Sequence, residues 1–297
     1  MAGRIVLFGA TGYMGELTAR ALAGRGARPV LAARNAQRLH TLAKQLGGLD
    51  TAVADAGRPD TVRALVERGD VLISTVGPFA RYGEPAVEAA IAAGASYLDS
   101  TGEGPFVRAV FERHGPRARA AGTAVLTAFG YDFVPGNLAG ALALRNAGDA
   151  ATRIDIGYFT PGRFATSGGT KASAAGVILQ PGFAWRGGHL VSERQAARIR
   201  SFRVRDVKKA AVSISASEHF ALPRLHPGLR DVGVYLGTFG AAARTVQALS
   251  AISSALMRIP RARSATRSVV TRFVKGSTGG PDANAHQVRF LHRRHGA

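Results

Sequence analysis

The chain opens on the pattern of a buried strand. Arg4-Ile5-Val6-Leu7-Phe8-Gly9 is a short apolar run closed by glycine, and apolar residues then recur at helical spacing at Met14, Leu17, Ala21 and Leu22. The same alternation repeats down the first 128 residues. Strands are predicted over 29–33, 51–54, 71–76, 96–99 and 124–128, with helices over 13–24, 36–46, 59–67, 84–93 and 106–121 between them. Six strands alternating with helices call for parallel pairing through right-handed crossovers, hence an α/β, Rossmann-like, doubly wound sheet. On such a sheet a ligand binds beyond the carboxyl ends of the strands, where the strand order reverses.

Beyond residue 135 the rhythm changes. Helices are predicted over 136–145, 170–180 and 245–257, and strands over 153–160, 204–207, 211–215 and 232–237. This mixture reads as a second α+β domain for substrate or dimerisation over 136–297, after the doubly wound domain over 1–135. Val246, Leu249, Ile252, Leu256 and Ile259 form a helical stripe expected to pack against that second domain. Its flanking Arg244, Arg258 and Arg261 also suit a helix at a membrane surface.

Composition narrows the picture. At 297 residues and 46% apolar the chain can bury roughly 75% of its unfolded surface, so disorder is excluded as its general state. The absence of cysteine removes disulfides, thiolate metal sites and thiol nucleophiles together. It fits a reducing compartment, and the expectation is a cytoplasmic protein, peripheral to the membrane at most. No 18-residue uncharged apolar run occurs, and no signal peptide is expected ahead of the first strand.

The net charge of +20 is lopsided. Residues 1–150 hold 16 Lys+Arg against 13 Asp+Glu, whereas residues 151–297 hold 23 against 6. The runs Arg194–Lys209 and Arg258–Lys275 can attract phosphate or an anionic surface, and they equally suit a solvated face. No specific nucleic-acid role follows from total charge, because the first domain is nearly neutral.

The strongest motif is Gly9-Ala10-Thr11-Gly12-Tyr13-Met14-Gly15, a G-x-x-G-x-x-G turn between the first strand and the first helix. Its first glycine permits the tight turn, the second lets a pyrophosphate reach the backbone, and the third lets helix and strand pack closely. The helix N-terminus then faces the phosphates. After the second strand, where NAD sites carry a carboxylate for the ribose, the sequence has Arg34, with Arg38 one turn on. A guanidinium fork suits a 2′-phosphate, so the pocket is expected to take NADP(H). Asp55, after the third strand, falls near the adenine edge by the same topology.

Other chemistries are set aside. None of the six tyrosines has lysine four residues later, as short-chain dehydrogenases require for proton transfer. The phosphate loop G-x-x-x-x-G-K-[ST] and the G-x-S-x-G elbow are absent. His292 and His295 form the one close histidine pair, with no acid beside it, so no metal site is expected.

Three further segments decide the family. They are Val76-Gly77-Pro78-Phe79-Ala80-Arg81-Tyr82-Gly83-Glu84, Ser96-Tyr97-Leu98-Asp99-Ser100-Thr101-Gly102-Glu103 and Gly130-Tyr131-Asp132-Phe133-Val134-Pro135-Gly136. With the glycine-rich start, they resemble the saccharopine dehydrogenase-like oxidoreductases, a family that includes trans-acting enoyl reductases of lipid synthesis. The resemblance is dense over residues 4–136 and looser through Gly168-Gly169-Thr170 and 223–237. It implies an NADP(H)-dependent reductase. The second-domain motifs that hold saccharopine's carboxylates find no match, which argues against saccharopine itself. Members also run past Thr278-Gly279-Gly280-Pro281-Asp282 with further strands, so the ending after His286 reads as truncated or frame-shifted.

Hydride transfer needs a dry cleft and a proton donor. Val76, Gly77 and Pro78 are expected to shape the cofactor contact. Tyr82, Asp99 and Asp132 are the candidate catalytic groups, with Glu103, Ser100, Thr101 and Arg81 nearby. The expected substrate is a small or lipid-like enoyl, imine or keto compound, and the expected partners are a weak membrane-surface contact and a second copy in a homodimer. The competing readings are a non-catalytic NADP(H) sensor or remnant, and a protein that binds anionic surfaces.

Overall fold

The computed structural model describes residues 3–131, 133–159, 182–237 and 239–256. Asp132, the helix expected over 170–180, Gly168-Gly169-Thr170, the run Arg258–Lys275 and the tail with His292 and His295 lie outside the described residues.

The first half folds as expected. Its elements are β1 (Ile5–Phe8), α1 (Tyr13–Ala23), β2 (Val30–Ala33), α2 (Ala36–Gln45), β3 (Thr51–Val53), α3 (Pro59–Arg63), β4 (Val71–Ser74), α4 (Phe79–Tyr82), α5 (Glu84–Ala93), β5 (Ser96–Asp99), α6 (Gly104–Ala109), α7 (Gly115–Ala121) and β6 (Val125–Leu126). The strands lie in the order β3-β2-β1-β4-β5-β6, all parallel. The order reverses between β1 and β4, so the loops after these two strands flank the crevice. Successive residues of β1 point to opposite faces, and both faces are buried. Val6 and Phe8 pack with Leu72, Tyr97 and the alanines of α5, while Leu7 packs with Leu31, Leu39 and Leu42. This explains an apolar run without alternation.

Two details depart from the expectation. A short helix, α4, interrupts the loop after β4. The helix expected over 106–121 contains a π turn, Val110–His114, between α6 and α7. Phe106, Val110 and Ala118 of this helix join the core of the parallel sheet, whereas Val107 and Phe111 join the core of the second half. The Phe111 ring stacks on Phe220 with centroids 4.7 Å apart. His114 is buried beside Glu84, with no hydrogen bond to either ring nitrogen, and burial pushes its imidazole down.

The second half comprises α8 (Val134–Ala147), β7 (Arg153–Tyr158), β8 (Phe183–Arg186), β9 (His189–Ser192), β10 (Ile199–Val204), β11 (Val207–Ser213), α9 (Glu218–Leu225), β12 (Asp231–Leu236) and α10 (Ala243–Leu256). Its sheet runs β10-β11-β12-β8-β9, mainly antiparallel, with β7 added parallel to β12. The strand expected over 204–207 is a turn instead. Arg205 and Asp206, at φ +47° and +64°, close a hairpin whose arms extend to Ile199 and Ser213. The β8–β9 hairpin, unforeseen, closes through Gly187-Gly188.

The helical stripe is only partly buried. Ala243 and Val246 pack on β10 and β11 with Ala196, Ile199 and Val212, but Leu249 and Ile252 are each 58% exposed. Polar residues set the rotation of α10. Gln247 Nε2 donates to the Ala197 carbonyl, and the buried Ser250 hydroxyl donates to that of Gln195. Among the described residues no helix is long and apolar enough to cross a membrane.

Candidate functional site

The glycine-rich turn is built for close approach. Gly9, at φ +93°, donates its N–H to Ala32 at 2.8 Å, and Gly12 donates back to the Gly9 carbonyl at 2.9 Å. A Cβ on Gly15 would fall 2.0 Å from the Gly9 oxygen and 2.8 Å from Ala10 Cα. Only a bare backbone lets α1 start there. No side chain caps α1, whose N-cap is Gly12, so the first-turn donors keep no protein partner from that position. Thr11 is half-buried, while Tyr13 and Met14 stand 63% and 49% exposed over this turn. A cradle that a Cβ would fill, ahead of an uncapped helix start, fits a pyrophosphate.

The loop after β4 closes against the same turn. A Cβ on Gly9 would meet Thr75 Oγ1 at 2.6 Å and Val76 Cγ2 at 2.9 Å. Val76 is partly buried against the core of the parallel sheet, and Gly77 and Pro78 are exposed, joined by a cis peptide bond. Beyond them α4 starts on a buried carboxylate. Glu103 Oε1 accepts the Phe79 N–H at 2.8 Å and Oε2 accepts the Ala80 N–H at 3.0 Å. A negative charge at a helix start satisfies two donors at once. Glu103→Ala is expected to strand both and lower stability by about 2–4 kcal/mol. The denaturant midpoint measures this, and an unchanged midpoint would show that water replaces the carboxylate.

The structure separates the two arginines after β2. Arg34 is exposed and makes no ion pair or hydrogen bond among the described residues. Arg38 instead donates through Nη2 to the Thr11 carbonyl at 2.8 Å, tying α2 to the glycine-rich turn. Arg38 is therefore a brace of the loop. Asn35 caps α2 by accepting the Arg38 N–H at 2.9 Å. Asp55 turns its own loop, with Oδ1 accepting the Gly57 N–H at 2.8 Å.

The candidate donors fall in different surroundings. Tyr82 is half-buried at the end of α4, with the Arg81 guanidinium 4.9 Å from its ring centroid. Asp99 is 2% exposed, and its Oδ1 accepts the N–H groups of Thr101 and Ala128, both at 2.9 Å. It ties the loops after β5 and β6 together. Asp99 Oδ2, Ser74 Oγ, Tyr97 OH and Thr127 Oγ1 are buried oxygens without a hydrogen-bond partner of good geometry. Burial pushes the carboxyl of Asp99 up. Burial first, and the neighbouring Asp99 charge second, push the Tyr97 hydroxyl up as well. Asp99 thus lies inside the protein rather than on the cleft, whereas Asp132 lies outside the described residues.

One charged group went unforeseen. Glu218, at the start of α9, is fully buried. Its Oε1 accepts the Tyr158 hydroxyl in a very short hydrogen bond, and Oε2 accepts from Ser217 Oγ at 3.4 Å. Asn137 Nδ2 in turn donates to Ser217 Oγ at 2.9 Å. Gly136, in the first turn of α8, has no room for a Cβ, because Tyr158 OH would lie 1.9 Å from it. Burial drives the Glu218 carboxyl up to about 7. Ser217-Glu218 ahead of Phe220 and Leu222 is a helix-start signal that would have located the segment, though nothing there announces burial.

Residues 5–126 match the sequence profile of the saccharopine dehydrogenase NADP binding domain. A trans-acting enoyl reductase of Mycobacterium leprae is 42% identical over 140 residues, covering 45% of this chain and 34% of that protein. One of Mycobacterium ulcerans is 41% identical over the same span and shares. The matched stretch is thus about a third of the length of these relatives. Apo saccharopine dehydrogenase (L-Glu forming) from Saccharomyces cerevisiae superposes with a TM-score of 0.53 at 18% identity, covering 84% of this chain and 57% of that one, a likeness of fold. With the glycine-rich turn at the reversal of strand order, the match over residues 5–126 identifies the parallel sheet as an NADP-binding domain similar to that of saccharopine dehydrogenase, with NADP(H) as its cofactor.

Proposed function

We propose that this chain is an NADP(H)-dependent oxidoreductase reducing a small or lipid-like compound with an enoyl, imine or keto group. The observation that carries it is the uncapped start of α1 behind Gly15, flanked by the unpaired Arg34. Gly9, Thr11, Gly12, Tyr13, Met14 and Gly15 would hold the pyrophosphate, Arg34 the 2′-phosphate, Asp55 the adenine edge, and Val76, Gly77 and Pro78 the far end of the dinucleotide. When bound, NADPH supplies the hydride. The chain's own part is to orient substrate, exclude water and deliver a proton. Tyr82 is the half-buried candidate donor, and Asp132, outside the described residues, is the other candidate. Asp99, sealed inside, serves this reading as a positioning residue for the two loops it joins. The enoyl class is supported by the names of the mycobacterial relatives.

Arg34→Ala is expected to weaken NADPH binding on the order of 10- to 100-fold, the worth of a charge-assisted contact, with little change for NADH. Fluorescence titration of both cofactors checks it. Equal affinity of the unaltered protein for the two would sink the 2′-phosphate assignment. A second reading, a dinucleotide sensor without turnover, is favoured by the burial of Asp99, which removes one candidate donor from the cleft. Bound NADPH that no enoyl, imine or keto compound oxidises would favour it.

A further inference from the structure

The β10–β11 hairpin carries its charge unevenly. At its base the cations are ion-paired: Arg198 Nε lies 3.0 Å from Glu193 Oε2, an acid shared with Arg186, and Arg200 Nη1 lies 2.7 Å from Asp155 Oδ2, an acid shared with Arg153. Toward the turn stand Arg203, Arg205, Lys208 and Lys209, all exposed, with Asp206 the sole acid in that stretch of sequence. None of the four makes an ion pair or hydrogen bond among the described residues. Arg203 and Lys208 are directly opposite in the antiparallel register, so they share a face and repel. Lys209 pairs with Phe202 on the other face, and Arg205 sits in the turn. The last pair, Val204 and Val207, is apolar, and Val207 is 58% exposed. The protein therefore gives the ribbon's arginines acid partners where it joins the sheet. It leaves the outer end cationic on both faces, with valine at the tip.

We infer that the outer end of the β10–β11 hairpin docks on an anionic lipid surface, the valine pair entering the interface while Arg203, Arg205, Lys208 and Lys209 meet headgroup phosphates. Charge complementarity selects an anionic partner, and an anion between Arg203 and Lys208 relieves their repulsion. The exposed Val207, with the half-buried Val204 opposite it, selects a surface with an apolar layer beneath its charges, which nucleic acid does not offer. Cations on both faces suit a tip dipping into a plane of headgroups, touched from all sides. This inference is independent of the oxidoreductase reading, since it involves none of the dinucleotide loops.

Co-sedimentation of the full chain with vesicles tests it, using phosphatidylcholine alone or with one-third phosphatidylglycerol. The expected result is binding to the anionic vesicles that weakens steeply with salt. Each cation near such a surface is worth roughly fivefold in partitioning, so Arg203→Ser with Lys208→Ser should weaken binding about 25-fold. Val207→Ser should cost roughly fivefold more, with little change in salt dependence. Cofactor affinity and unfolding temperature, read on the same samples, should not move. The basic run Arg258–Lys275 remains in every variant, so a difference between variants belongs to the hairpin. Equal binding to neutral vesicles, or a double variant that binds like the parent, would overturn the proposal. So would a short DNA duplex that binds as tightly and loses as much in the double variant, because the surface would then be one for nucleic acid.

Discussion

Replacing Gly15 by alanine is expected to abolish measurable NADPH binding and to lower stability by about 3 kcal/mol. Overpacking typically costs 1–3 kcal/mol, and the neighbours here cannot rotate away, being the Gly9 carbonyl and Ala10 Cα of the backbone. The new methyl group must push α1 off β1 or reshape the turn that follows Gly9. Either movement displaces the helix start and the N–H groups that face the phosphates. Fluorescence titration reads the loss of affinity, and thermal unfolding reads the strain. Gly12 offers the internal comparison, since a Cβ there would approach the Gly9 oxygen only to 3.3 Å. Gly12→Ala should therefore fold nearly normally. Unimpaired NADPH binding by Gly15→Ala would remove the turn from the cofactor site.

The second large effect concerns Glu218. Its folded carboxyl, at about 7, lies above the ordinary value of 4.5, because burial penalises the charge more than Tyr158 and Ser217 compensate it. A raised carboxyl makes the folded state hold a proton that the unfolded chain has released. The stabilisation is complete below about pH 4.5 and is lost as pH rises through 7. Across that window the group should remove about 3 kcal/mol, from 1.36 kcal/mol per pKa unit. Glu218→Gln keeps an acceptor for Tyr158 but cannot ionise. It is expected to match the parent near pH 5 and to exceed it at pH 8 by about 2–3 kcal/mol. His114 and His219, both pushed down by burial, titrate alike in the two proteins and cancel in the difference. Urea denaturation at several pH values measures that difference, and parallel curves would show that Glu218 is charged in the folded protein.

Legibility in the sequence followed burial. Most elements of the parallel half announce themselves, α4 and the π turn excepted, because a strand buried on both faces, such as β1, is an uninterrupted apolar run and the longer helices repeat at their own period. The glycine-rich turn was readable for the same reason, standing between two such signals. Arg38 was not, since its bond to the Thr11 carbonyl depends on how α2 lies over the turn. In the second half the signals conflict. Pro223 inside α9 argues against the helix that forms there. Arg205-Asp206 carries none of the Asn-Gly character expected of its turn, so Val204–Val207 looked like a strand. Asp99 showed the limit of placing chemistry by topology. Its position at a strand end was foreseen, but its burial depends on the loops that fold over it.

The helix from Gly104 to Ala121 belongs to two cores at once, with Phe106 and Val110 in one and Val107 and Phe111 in the other. It is a strut between the two sheets. Swinging the second sheet away from this helix would peel Phe111 from Phe220 and open the second core, while Phe106 and Val110 stayed on the first. A hinge between the sheets would therefore have to break that ring contact and uncover Val107 and Phe111.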